Sequence, residues 1–379
     1  MGRCLAQGHT DLPWQWDDQP GYRAALKACG TSVNVAPLVG HGSLRLAAMG
    51  CEQRSPTATE LKTMQRLAAE AMDQGAFGIS TGLTLASSSY AETEELVEIS
   101  KPVAARGGFY ATHSRLWAGH HFRAVEEALE IGRRANLPVQ ISHQTIIDPR
   151  FYGQAETIVG LMESARAEGI DVTYDIYPYI ASGSQLDQYL PDWALDGGEE
   201  QLLARLADAQ TRARIREETN RGWFRGIPWQ WDRVQLAHVA APEYKVYLGK
   251  SIAEVADLLH LEPIDCLLHL IESQRNDVSV VQFNRVEEDV QFFLAHALAM
   301  IGSDGSSISP RGATLETKPH PRYYGTFPRV LGRYCRELNL FTLEEAIAKM
   351  TSAPAARLGL KDRGTLASSI VSRFGHRVS

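Results

Sequence analysis

A parallel α/β barrel is the fold this sequence predicts, on three observations. Between Gly107 and Tyr179 lie three short apolar runs, each ending in a polar cluster: GGFYATHSR (107–115) ends at His113, PVQISHQT (138–145) at His143, and DVTYDIYPY (171–179) at Tyr177 and Tyr179. Helix-length segments, roughly Phe122–Arg134 and Ala155–Glu168, separate them, so strand and helix alternate as in parallel βαβ units. The chain's 379 residues suffice for one barrel with insertions or for two ordinary domains. Histidines at the carboxyl ends of two successive strands point into the barrel mouth, where such folds place their chemistry.

Composition narrows the partners. Hydrophobic content of 44% and charged content of 22% are those of a globular protein. A net charge of −7 supplies no basic field, so neither nucleic acid nor a membrane surface is expected as a partner. Cys4, Cys29, Cys51, Cys266 and Cys335 are scattered and lack CxxC spacing, which favours reduced thiols in a cytoplasmic protein over a disulfide framework. No stretch approaches the roughly 20 apolar residues of a membrane span, and Met1–Leu12 lacks an apolar signal core.

The elements follow in order. Residues 1–32 form a polar lead-in; its PWQWD at 13–17 recurs at 228–232 without a fixed period. VNVAPLVGHGSLR (33–45) starts as a buried strand and breaks at Gly40, His41 and Gly42, leaving His41 as either a ligand or a locally bonded loop residue. Thr57 and Thr59 open a helix patterned by Leu61, Met64, Leu67, Ala68 and Met72, which Gly75 ends. GAFGISTGL (75–83) is the next buried strand. Beyond the central region an insertion is expected at about 190–290. In it Asp196–Arg225 reads as a solvated helical face, VQLAHVA (234–240) and VSVVQF (278–283) as strands, and Ser251–Glu272 as the helical segment between them. LAMIGSDGSS (298–307) returns to the barrel and delivers Asp304 beside Gly305. Thr342–Met350 is amphipathic, TSAPAARLGL (351–360) reads as a final helix started by Pro354, and 367–379 as an irregular tail after a barrel spanning 33–366.

His113, His143 and Asp304, each at a different strand end, match the ligands zinc takes in open catalytic sites. Spacing alone leaves the alternative of histidines satisfied in the core and an aspartate capping a turn. Arg322, in the Pro- and Gly-punctuated loop beyond Asp304, carries the fork suited to a carboxylate.

The ordered motifs NVAPLVGHGSLR, GISTGL, YATHSR, QISH, DIYPY, IGSDG and HPRYYGTFPRVLGRY resemble the D-aminoacylase (N-acyl-D-amino-acid deacylase) family of the amidohydrolase superfamily, from about Trp14 to Leu366. The resemblance implies a zinc-dependent (β/α)8 TIM barrel that hydrolyses the amide of an N-acyl-D-amino acid, its small-molecule partner. It makes His113 and His143 the ligands of a tightly held zinc, and Asp304 the proton carrier facing a second metal position. Arg322, Tyr177 and Ser184 become the pocket for the substrate's free carboxylate.

The pattern also departs from that family. Its His-x-His strand and its Asn-Cys-Gly strand have no counterpart here, and the small β-domain segments at both ends are missing. The chain therefore resembles a member that begins at the third barrel strand, with two unpaired sheet edges, and is expected to have little deacylase activity alone. Two alternatives accompany the deacylase reading: an inactive remnant or ligand-binding partner chain, and a dihydropyrimidinase-like hydrolase, against which HPRYYGTF and YPY argue.

Overall fold

The computed structural model describes residues 16–366 apart from 86, 117, 225, 307, 309, 310 and 312–315. The start of the lead-in, including Cys4, and the tail at 367–379 lie outside the described residues. Six strands form one parallel sheet in the order β1 (Val39–Gly40), β2 (Gly78–Gly82), β3 (Phe109–His113), β4 (Val139–Ile141), β5 (Val172–Ile176) and β9 (Ala299–Ile301). Among the described residues neither β1 nor β9 has a second partner strand.

Apolar runs make these strands because both faces are covered, as parallel sheets require. Val139, Ile141, Val172, Tyr174 and Ile176 are all buried, and helices pack over them. The helix between β3 and β4, Arg123–Ala135, buries Val125, Ala128, Leu129 and Ile131. It ends with Asn136 in the left-handed conformation, a usual helix stop. The helix before β2, Ala58–Asp73, opens on a capping box between Thr57 and Glu60.

Three local readings change. The strand at 33–45 shrinks to Val39–Gly40, with Val33 and Val35 exposed, because an edge strand has only β2 to pair with. His41 begins a helix instead of a loop: its ring, wholly buried, bonds Ser88 and Glu95, and Arg45 closes on the same carboxylate. Ser251–Glu272 is two helices, Ile252–Leu259 and Pro263–Ser273, broken where His260 turns left-handed.

A second sheet stands apart in topology. β6 (Ser182–Gln185), β7 (Val234–Val239) and β8 (Val278–Gln282) pair antiparallel in the order β6-β8-β7 over a core of their own. The charged stretch at 196–225 belongs to that core. Its helices Glu199–Ala207 and Ala209–Asn220 bury Leu202, Leu206 and Ile215, so only one side of each is solvated. Among the described residues no helix is long and apolar enough to cross a membrane.

Candidate active site

Past the carboxyl ends of the parallel strands, His113, His143, Tyr177, Ser184, Asp304 and Arg322 line one cavity, joined by Thr84, Asn284 and Arg285. About 830 Å3 of space lies within this cleft, part of it open solvent.

β3 and β4 are neighbours, so the histidines that follow from them meet. Nδ1 of His113 lies 2.8 Å from Nε2 of His143, with the rings edge to face, and Nε2 of His113 lies 2.7 Å from the Thr84 hydroxyl. His143 sits two residues beyond β4 at φ +39°, a strained conformation for a side-chain-bearing residue. Asp175 on β5 holds it there. Its Oδ1 accepts the His143 N–H at 2.8 Å, its carbonyl accepts the Gln144 N–H at 2.7 Å, and Gln140 donates to Oδ2 at 2.8 Å. Burial pushes the Asp175 carboxyl above the usual carboxylate range, against those two donors to its oxygens. Burial, with His143 and Arg322 nearby, holds the His113 imidazole down to about 3, so the ring is neutral at neutral pH and keeps a lone pair for a metal.

Asp304 follows β9 by three residues, also left-handed at φ +47°. Its Oδ2 accepts from Arg322 Nη1 at 2.8 Å, with the arginine buried and the aspartate half-exposed. Two guanidinium groups lie against the buried Tyr177 ring, Arg285 at 4.1 Å and Arg322 at 4.7 Å from its centroid. Arg285 Nη2 also donates to the Tyr177 hydroxyl. Ser184, on β6 of the second sheet, shares a 2.8 Å hydrogen bond with the Tyr189 hydroxyl, which donates to Gln282.

Among the described residues no three His, Cys, Asp or Glu side chains are grouped as a metal set. Two of the three expected ligands, His113 and His143, converge; the third, Asp304, faces Arg322. Two nitrogens on one tetrahedral zinc stand about 3.3 Å apart, given Zn–N bonds near 2.0–2.1 Å. The 2.8 Å separation of the two ring nitrogens is within a small side-chain shift of that spacing, so this pair suits zinc.

Thr84 and Arg285 fall in none of the motifs, while Asp175 and His320 open DIYPY and HPRYYGTFPRVLGRY without being singled out there. His320 Nε2 donates to the Ala181 carbonyl, and its Nδ1 accepts the Arg322 N–H, which positions the start of the arginine's helix. Burial, then the Arg322 charge, lowers the His320 pKa from about 6.5 to about 3. Protonation is thus easier unfolded than folded: this contribution to stability is complete above pH 6.5 and is lost as pH falls from 6.5 toward 3. At about 1.4 kcal/mol per pKa unit, the loss reaches about 2 kcal/mol by pH 5. Urea unfolding at pH 7.5 and pH 5 should show a drop to which buried His113 also contributes, smaller by about that amount in His320→Asn; equal drops would exclude His320 as a source.

Comparison with known proteins adds the relatives. A profile of the amidohydrolase family matches residues 1–368. The chain is 38% identical over 345 residues to a D-aminoacylase from Alcaligenes xylosoxydans xylosoxydans, covering 91% of this chain and 60% of that protein. It is 35% identical to an N-acyl-D-glutamate deacylase of the same organism, covering 92% of this chain and 61% of the relative. Among solved structures, a D-aminoacylase superposes with a TM-score of 0.70 at 35% identity, over 91% of this chain and 62% of that one. An N-acyl-D-glutamate deacylase from Bordetella bronchiseptica, complexed with zinc and a phosphonate inhibitor, reaches 0.74 at 31% identity, over 93% and 64%. The chain thus spans about three-fifths of the length of the curated relatives it matches.

Proposed function

The chain belongs to the amidohydrolase family, and from that premise we propose that it hydrolyses the amide bond of N-acyl-D-amino acids with a zinc ion held by His113 and His143. One observation carries the reading: two histidine nitrogens face each other 2.8 Å apart, on the same cavity as a buried arginine bonded to an aspartate. Zinc, when bound, supplies Lewis acidity toward an amide carbonyl and makes water easier to deprotonate. The protein's own groups do the rest. Arg322 and Tyr177 bind the substrate's free carboxylate, Ser184 supplies a hydroxyl at the cavity wall, and Asp304 is the oxygen donor on the metal side. Asp304 also takes the proton from water and passes it to the leaving amine nitrogen. A fixed carboxylate, a fixed amide and a side-chain pocket together select one enantiomer. The scattered free cysteines support action in the cytoplasm.

A second reading, binding without turnover, is favoured by the two-histidine metal set. Incubating the zinc-loaded chain with N-acetyl-D-amino acids and their L forms separates the readings. Release of amine from the D form only is the expected result. Equal turnover of both enantiomers would overturn the deacylase reading, and saturable binding without amine release would favour the second.

A further inference from the structure

Arg285 has no place in the chemistry above, yet its guanidinium lines the same cavity. The residue is 3% exposed. Nη2 donates to the Tyr177 hydroxyl, while Nε and Nη1 have no hydrogen-bond partner, and neither has Nε of Arg322. A guanidinium stays charged in proteins, and a buried charge without an anion is costly. Asp304 pairs with Arg322, and among the described residues no carboxylate forms an ion pair with Arg285. The phenol stabilises the cation through its ring face and oxygen but carries no full negative charge.

We propose that Arg285 is the receptor for a second carboxylate, and that the substrate is a dianionic N-acyl-D-amino acid. This deepens the deacylase reading and rests on it. With Arg322 holding the carboxylate next to the chiral carbon, Arg285 meets the second with an unpartnered N–H, that of Nε or of Nη1. Both guanidiniums lie against one aromatic ring, so two carboxylates a few bonds apart in one molecule reach both. That second carboxylate belongs either to an acidic side chain or to a dicarboxylic acyl group, and the chemistry at Arg285 is the same.

Calorimetric titration of the zinc-loaded full chain tests this, with N-acetyl-D-glutamate, its neutral isostere N-acetyl-D-glutamine, N-acetyl-D-leucine and N-succinyl-D-leucine as probes. The diacid should bind at least about tenfold tighter than its isostere, as expected of a charge-assisted contact. N-acetyl-D-glutamate ahead of N-succinyl-D-leucine assigns the carboxylate to the side chain; the reverse order assigns it to the acyl group. In Arg285→Met the diacid preference should collapse to within about twofold, and Arg285→Lys should restore part of it. A residue that merely steadies Tyr177 would instead weaken mono- and diacids alike. Equal affinity within both pairs, N-acetyl-D-glutamate with N-acetyl-D-glutamine and N-succinyl-D-leucine with N-acetyl-D-leucine, overturns the proposal without any variant. Binding of all four probes without Arg285 dependence overturns it and leaves the deacylase reading standing. Arg285-dependent binding of glutarate, with none of the N-acyl compounds bound, keeps the dicarboxylate receptor and overturns the deacylase reading.

Discussion

Zinc retained by the purified chain should fall from about one per molecule to background when either His113 or His143 becomes alanine, and hydrolysis of N-acetyl-D-amino acids should fall with it. The argument is one of ligand number. The described residues bring only two imidazoles together, and an open catalytic zinc takes three protein ligands. Removing one imidazole leaves at most one nitrogen and the Asp304 carboxylate. Loss of a group that only orients a ligand costs about 10–100-fold in metal affinity, so loss of the ligand itself should exceed about 100-fold. Elemental analysis reads the stoichiometry. Thermal unfolding with and without added zinc gives an independent reading, because only a chain that binds the metal in its folded state gains stability from it. Full zinc occupancy in either variant would remove that histidine from the ligand set.

The part of this site that was legible in the sequence is the part built on parallel strands. A strand buried on both faces writes a mostly apolar run, and the polar residues just past it fall at the sheet's carboxyl edge. His113 follows FYAT and His143 follows PVQIS in this way, and Asp304 follows the run ending at Ile301. Of the second sheet, β7 and β8 were legible as VQLAHVA and VSVVQF, and β6 was not, for the opposite reason. β6 is the polar tetrapeptide SGSQ, and its register comes from β8, more than ninety residues later, so no local pattern announces it. Ser184 was therefore named by resemblance alone, and its bond to Tyr189 was unforeseen. Arg285 was missed because a charged residue ahead of an acidic run reads as solvated. Only the folded chain reveals that Tyr177 and the cavity wall enclose it. Asp175 was hidden inside DVTYDIYPY, where a buried carboxylate with backbone donors looks like any strand residue.

Asp304→Asn should lower kcat and KM together, an outcome that separates its role from that of a simple ligand for Arg322. In the folded chain the carboxylate is bonded to the guanidinium that the proposed function assigns to the substrate's own carboxylate. Under the proposed function the two anions compete for the charge of Arg322, which Asp304 engages through Nη1 while Nε has no partner. In that reading, a substrate carboxylate drawing on Arg322 weakens its hold on Asp304, so that substrate binding and activation of the base would be one event. An asparagine cannot accept that proton, and loss of general acid–base catalysis lowers kcat by about 10²–10⁴-fold. The neutral amide also competes less well for the guanidinium, so the substrate carboxylate binds more tightly and KM falls. Steady-state kinetics on an N-acetyl-D-amino acid, with zinc content measured on the same sample, reads both constants. A raised KM with kcat preserved would assign Asp304 to substrate binding only. Loss of zinc would make it chiefly a metal ligand. Lowered kcat with lowered KM and zinc retained is the signature of a base that waits on Arg322 until substrate takes its place.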